Sequence, residues 1–333
     1  MAVMIGDVGI DGRTVLAPLA GVTDRSFRLL CREQGASLAV TEMVSARGLA
    51  EGSERSSRFL DFDEAEHPIS VQIFGSEPEE MADGARVVEE RNPDLIDINC
   101  GCPVKKIVNR NAGSALLKDL PKLGRIISSM CRAVSVPVTL KIRSGWHDAT
   151  EAMEVAKVAE DAGAAAIAVH GRTREARFSG DAAWDVIRDV RDAVAIPVIG
   201  NGDARGPVSA SKMINETGCD LVMIGRWAMG NPWLFRRTET FLETGELLPE
   251  PSVSERVAMA IRHLRISIQV KGVIAGVREM RGHLAAYVKG MPGAASLRQE
   301  LMTQDDPDKV EEILRGFLYR MEATQSITEE VRA

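Results

Sequence analysis

The chain is short of the residues that build cross-linked or metal-held domains. Five cysteines in 333 residues, with no repeated spacing, exclude a disulfide framework and point to a reducing compartment. There is no CxxC pair and no HExxH, and Cys100-Gly101-Cys102 lacks a second Cys/His cluster to complete four ligands, so no metal is expected. No apolar run approaches the ~20 residues that cross a bilayer. No basic stretch followed by an apolar one marks the N-terminus. The expectation is a cytoplasmic protein without a membrane partner. Low-complexity tracts are missing, and 45% hydrophobic with 27% charged residues exclude disordered and collagen-like classes. At this length one large domain with a smaller appendage is the natural arrangement. Nothing in the sequence sets the number of subunits, and a monomer is compatible with it.

Charge is unevenly spread. Arg256, Arg262, Arg265, Lys271, Arg278, Arg281, Lys289 and Arg298 stand against one acid, Glu279, so this stretch carries +7 in a chain of net −7. Such segregation makes a local field that attracts polyanions even when the whole chain is acidic.

From residue 14 to about 240, short apolar runs alternate with helix-like stretches. The runs are Val15–Ala17, Leu38–Thr41, Ile69–Phe74, Leu95–Ile98, Val138–Ile142, Ala166–Val169, Pro197–Gly200 and Leu221–Ile224. Between them, segments such as Glu79–Glu90, Leu120–Ala133, Glu151–Ala162, Trp184–Ala193 and Val208–Thr217 carry apolar residues at helical spacing. Eight strand–helix units predict an α/β fold, a (β/α)8 barrel over residues 1–245. The rival open sheet needs a GxGxxG after the first strand, where Leu16-Ala17-Pro18-Leu19-Ala20-Gly21 stands instead. Pro249 and Pro251 mark a boundary, and residues 250–333 read as an all-α helical domain. There, Val273, Val277, Met280, Leu284 and Tyr287 share one helical face, Lys271, Arg278 and Lys289 the opposite one, and Arg281 its flank. Gly276 and Gly282 each cost such a helix about 1 kcal/mol.

All eight runs stop on polar or glycine residues, which suggests one shared active face at the strand ends. Gly200-Asn201-Gly202-Asp203 and Gly225-Arg226 follow the seventh and eighth runs, where barrels of this type hold phosphates on backbone N–H groups. Lys141 points into the barrel mouth if Leu140 and Ile142 face outward, and it suits an electron-rich ring, a phosphate or a Schiff base. His170 is a ligand donor or a structural histidine. The amide of Gln72 suits the imide edge of a flavin, whose negative charge on reduction a lysine would stabilise. Cys102 is a nucleophile, a proton donor or a packed thiol; no neighbouring histidine lowers its pKa.

Leu16-Ala17-Pro18-Leu19-Ala20-Gly21-Val22-Thr23-Asp24, Asn99 to Pro103 with Lys105-Lys106, Ala112-Gly113-Ser114-Ala115-Leu116-Leu117, Lys141-Ile142-Arg143, His170-Gly171-Arg172-Thr173 and Gly225-Arg226 through Gly230-Asn231-Pro232-Trp233 occur in order. Together they resemble the tRNA-dihydrouridine synthase family, from about residue 14 to about 293. The resemblance implies an FMN-bearing barrel with a helical tRNA-binding domain, reducing the C5–C6 bond of uridine in tRNA with NADPH. It implies that Cys102 protonates C5 and that Asn99, Lys141, Arg143 and Phe178 border the uracil, while the basic helical face is expected to set Arg278 and Arg281 against the tRNA backbone. It also implies that Gln72, Lys141, His170, Asn201, Gly202, Asp203, Gly225 and Arg226 hold FMN, with Pro18 and Ala20 under the ring. Leu19 stands where the family commonly has methionine, Phe178 where it has tyrosine, and Gly282 where it often has lysine. A free-pyrimidine flavin reductase would share the FMN site without needing the basic segment. A Schiff-base aldolase would leave Cys102 and Gln72 unused, and a non-enzymatic RNA-binding protein would leave Asn99, Cys102 and Lys141 unused.

Overall fold

In the computed structural model, which describes residues 2–330 and side chains through Ala323, eight parallel strands follow one another around a closed ring. They are β1 (Thr14–Leu16), β2 (Leu38–Val40), β3 (Ile69–Phe74), β4 (Leu95–Cys100), β5 (Val138–Arg143), β6 (Ala166–His170), β7 (Val198–Asn201) and β8 (Leu221–Ile224). Each pairs with the next, and β8 returns to β1 through Val222↔Thr14 and Ile224↔Leu16. The expected (β/α)8 barrel is therefore present. Helices such as Pro78–Glu89, Leu120–Ala133, Glu151–Asp161, Trp184–Ala193 and Pro207–Thr217 return the chain between strands.

Strand parity sorts the interior into layers. Val15, Leu38, Leu95, Ala166, Ile199 and Leu221 form a buried cluster with Ile5 and Ile10 from the antiparallel hairpin Val3–Ile5/Val8–Ile10. Toward the strand C-termini the same faces turn polar, with Gln72, Asp97 and Asn99, Lys141 and Arg143, His170, and Asn201. The alternate residues, among them Ile96, Ile98, Leu140, Ile142, Ile167 and Val169, are fully buried on the other face, which is why the runs read as continuously apolar. One boundary differs from the sequence expectation. The fourth run ends at Ile98 on hydropathy, but the pairs Asn99↔Lys141 and Cys100↔Ile142 carry β4 two residues further. Asn99 thus sits on a strand rather than in a loop.

At the opposite end, Glu239 accepts from Arg13 N–H, Thr14 N–H, Thr14 Oγ1 and Ser37 Oγ at 2.5–2.9 Å, tying the starts of β1 and β2 to the helix Leu234–Thr244. Before β3, a buried ion pair joins Arg28 Nε to Glu66 Oε2 at 2.6 Å. Arg28 also donates to the carbonyls of Thr23 and Asp61, and Glu66 accepts from Asp63 N–H.

The described chain divides into two compact units, residues up to 227 with Leu234–Leu247, and Ala228–Trp233 with residues from Leu248 on. The second contains the helices Val253–Lys271, Val273–Tyr287, Ala294–Met302 and Pro307–Glu330. Ser252 and Glu255 cap the first reciprocally. Val277, Met280, Leu284 and Tyr287 are buried as the helical pattern predicts, whereas Val273, at the first turn, is 49% exposed. The helix runs unbroken through Gly276 and Gly282. The expected cationic face is partly neutralised by Glu279 within the basic stretch and by two acids beyond it. Arg278 and Arg281 share Asp305 at 2.8 and 2.9 Å, Arg265 pairs with Glu311, and Lys271 pairs with Glu279.

Removing one partner of a buried ion pair strands the other's charge, at a cost of roughly 3–5 kcal/mol. Glu66→Ala should therefore lower the unfolding free energy by that amount in urea titration. A loss under about 1 kcal/mol would show that Arg28 finds compensation elsewhere.

Candidate active site

The polar layer at the strand ends opens into one cleft of about 1060 Å³, its mouth included. Pro18, Ala20, Gln72, Asn99, Cys102, Lys141, Arg143, His170, Phe178, Asn201, Gly202, Asp203, Gly225 and Arg226 all line it. Arg278 and Arg281 belong to the second unit.

A buried chain of hydrogen bonds runs across β5, β4 and β3. Thr139 Oγ1 donates to Asp97 Oδ1 at 2.7 Å, Gln72 Nε2 donates to Asp97 Oδ2 at 2.7 Å, and Asn99 Nδ2 donates to Gln72 Oε1 at 2.8 Å. Asn99 Oδ1 then accepts from the N–H groups of Gly101 and Cys102 at 3.3 and 3.0 Å. From the other side, Ser114 N–H and Oγ both donate to the Cys102 carbonyl. Gly113 makes this approach possible: its φ is +61°, and a Cβ there would lie 2.9 Å from the Cys102 oxygen. Cys102 is consequently held by its own backbone on both sides.

The electrostatics follow from burial. Desolvation raises Asp97 to about 6, against the hydrogen bonds from Gln72 and Thr139 and the charge of Lys141. Desolvation lowers Lys141 to about 8, helped by Arg143 and opposed by Asp97. His170 is driven well below its usual range by burial and then by Lys141, Arg143, Arg172 and Arg226, so it is neutral. Burial pushes the Cys102 thiol up more than Val104 N–H and Arg143 pull it down, so the thiol stays protonated at neutral pH. Arg143 is locked by the carbonyls of Gly101, Thr173 and Arg177 at 2.9, 3.0 and 2.7 Å.

Beyond the last two strands the backbone leaves N–H groups without a protein acceptor. The N–H groups of Gly202, Ala204 and Gly225 have no protein partner among the described residues, and all three residues line the cleft. Gly202 has φ +113°, and a Cβ would meet Ala182 Cβ at 2.7 Å and His170 Cδ2 at 2.9 Å. Asp203 is held by Arg172 at 2.7 Å and by Ala182 N–H. Several contributors were given no role by the sequence. Asp97 reads as one acid in an apolar run, Arg172 as a strand-end cation, and Ser114 lies twelve residues from the carbonyl that it grips. Met43, at the end of the second run, and Trp227, just after Arg226, also line the cleft, though the sequence reading gave neither a role.

A family model described as dihydrouridine synthase matches residues 15–325. The chain belongs to that family. Similar proteins within the family carry the name tRNA-dihydrouridine synthase B: one from Xanthomonas axonopodis pv. citri is 43% identical over 314 residues, 94% of this chain and 95% of that one. Those from Pseudomonas aeruginosa and Escherichia coli K12 are 44% and 41% identical, covering 92% and 94% of this dihydrouridine synthase family member and 92% and 98% of their own lengths. Among solved structures, morphinone reductase shares the fold at TM-score 0.55 and 14% identity, over 77% of this chain and 91% of that one. A 2-naphthoyl-CoA reductase complex does so at TM-score 0.56 and 13% identity, over 71% and 51%.

A carboxyl whose folded pKa is raised destabilises the fold once it ionises. The effect is nil below its ordinary 3.8 and complete above about 6. It is worth about 3 kcal/mol. Asp97→Asn keeps an acceptor for Gln72 and a donor for Thr139, so the stability difference between the variant and the parent should shift in the variant's favour from pH 4 to about 6.5. Denaturant titrations at the two pH values measure it, and a pH-independent difference would refute the ionisation of Asp97.

Proposed function

We propose that this chain is a flavin-dependent tRNA-dihydrouridine synthase, reducing the C5–C6 bond of uridine in tRNA with NADPH in the cytoplasm. The observation that carries the reading is a protonated, backbone-clamped thiol, Cys102, in the same cleft as a desolvated lysine and an anion cradle. Residues 1–245 would hold FMN and perform the reduction, and residues 250–333 would engage the tRNA.

The cleft fits FMN. Unpartnered N–H groups at Gly202, Ala204 and Gly225, with Arg226 beside them, suit a monophosphate. Pro18 and Ala20 offer a flat wall, and Gln72 and Lys141 face the cleft where an imide edge needs a hydrogen-bonding partner and a cation. His170, Asn201 and Asp203 would complete the pocket. When bound, FMN supplies the hydride for C6. Neutral His170 can meet the cofactor without adding charge, and Lys141, with its pKa near 8, supplies a positive charge that burial makes effective. Cys102 holds its proton until C5 develops carbanion character, then delivers it. Asn99 and Arg143 fix the loop that carries the thiol while bordering the uracil with Phe178. A Schiff-base role for Lys141 would leave this clamp on Cys102 without purpose.

Cys102→Ala should keep FMN and its reduction by NADPH but form no dihydrouridine, measured by nucleoside analysis of treated tRNA. Cys100, fully buried on the outward face of β4, should tolerate alanine with product still formed. The reverse pattern would overturn the assignment.

In the second unit, Arg278 and Arg281 share one carboxylate, so the group retains a net positive charge for a phosphate backbone. Changing both to Gln should raise the KM for tRNA and reduce the slope of log K against log salt by roughly 0.7–0.9 per lost contact, whereas Asp305→Asn should strengthen binding. No change in either variant would mean that these arginines only solvate the helix.

A further inference from the structure

We infer that Trp227 is a stacking platform for the nucleotide next to the target uridine, an inference that rests on the tRNA reading above. Trp227 follows β8 immediately, lines the cleft, and is 46% exposed although it is the largest kind of apolar side chain. The Arg205 guanidinium lies 5.8 Å from its ring centroid. Arg205 is only loosely held by carboxylates, with Asp181 and Asp203 both at 3.7 Å, so no close ion pair anchors it.

A second ring–guanidinium pair lies on the same cleft. Phe178, 52% exposed, has Arg226 at 4.3 Å and Arg143 at 5.5 Å from its ring. Two exposed rings at one cleft suit two successive bases of an unstacked strand, and Arg205, beside Trp227, is the guanidinium left for a phosphate, since Arg226 is assigned to FMN and Arg143 is held by backbone carbonyls. A uridine presenting its C5–C6 bond must leave its stack, and its neighbour loses a stacking partner in the process. Phe178 borders the uracil in the reading above, which leaves Trp227 for the adjacent base.

Replacing Trp227 with Ala, Leu and Phe tests the assignment on the full-length holoenzyme. Loss of one base–aromatic stack should raise the KM for tRNA roughly 5- to 100-fold in Trp227→Ala and Trp227→Leu, with Trp227→Phe near the parent. The kcat at saturating tRNA, the bound FMN and the KM for NADPH should stay within about twofold. Fluorescence anisotropy of labelled tRNA should show the same fold-changes in Kd without any need for turnover, so the inference remains testable if the parent makes no dihydrouridine and the wider reading fails. Unchanged tRNA affinity in Trp227→Ala would overturn the inference. So would a rise confined to the KM for NADPH, which would make Trp227 a platform for the reductant, or a loss of FMN, which would make it a cover for the cofactor. Rescue by Leu as complete as by Phe would overturn stacking in favour of plain apolar contact.

Discussion

The site depends on keeping a carboxylate inside the barrel. Asp97 sits between Thr139 and Gln72, and through Gln72 it fixes Asn99, whose carbonyl oxygen holds the backbone of Cys102. Every member of this chain spends a donor or acceptor on the next, so none can rotate alone. A buried network that is fully satisfied rigidifies its surroundings, while one left incomplete is costly. The loop that carries Cys102 thus inherits its position from three adjacent strands.

The same carboxylate shapes the charge of the cleft. Lys141 pairs in register with Asn99 and lies near Asp97, which opposes the fall in its pKa that burial imposes. Lys141, Arg143 and Arg226 supply positive charge, and Arg172 and Asp203 largely cancel each other. An acidic chain therefore presents a cationic pocket, because its acids lie elsewhere on the surface. Neutral His170 keeps one wall of that pocket polar without further crowding the cations.

How much of this was legible depended on the kind of signal. Strand order and the barrel were readable because each run is apolar on both faces and each stop is polar. The cleft residues at strand ends were readable for the same reason, since period-two alternation carries Gln72, Asn99, Lys141, His170 and Asn201 to one layer. The end of β4 was misplaced because hydropathy falls at Asn99 while the ladder continues to Cys100. Contacts across long separations left no trace in the sequence pattern. The grip of Ser114 on Cys102 spans twelve residues, and the tie of Glu239 to Thr14 spans 225.

The basic stretch shows the limit of counting charges along a chain. Eight cations against one acid suggested an open phosphate-binding face, but Asp305 and Glu311 fold back from outside the counted window onto Arg278, Arg281 and Arg265. These pairs are exposed, and exposed pairs contribute little to stability. Their effect is to orient the guanidinium groups and lower the local field. A polyanion at this face would have to compete with Asp305 for arginines already held in place. The cleft differs: Lys141 and Arg143 are desolvated there, and the N–H groups of Gly202, Ala204 and Gly225 have no protein acceptor among the described residues.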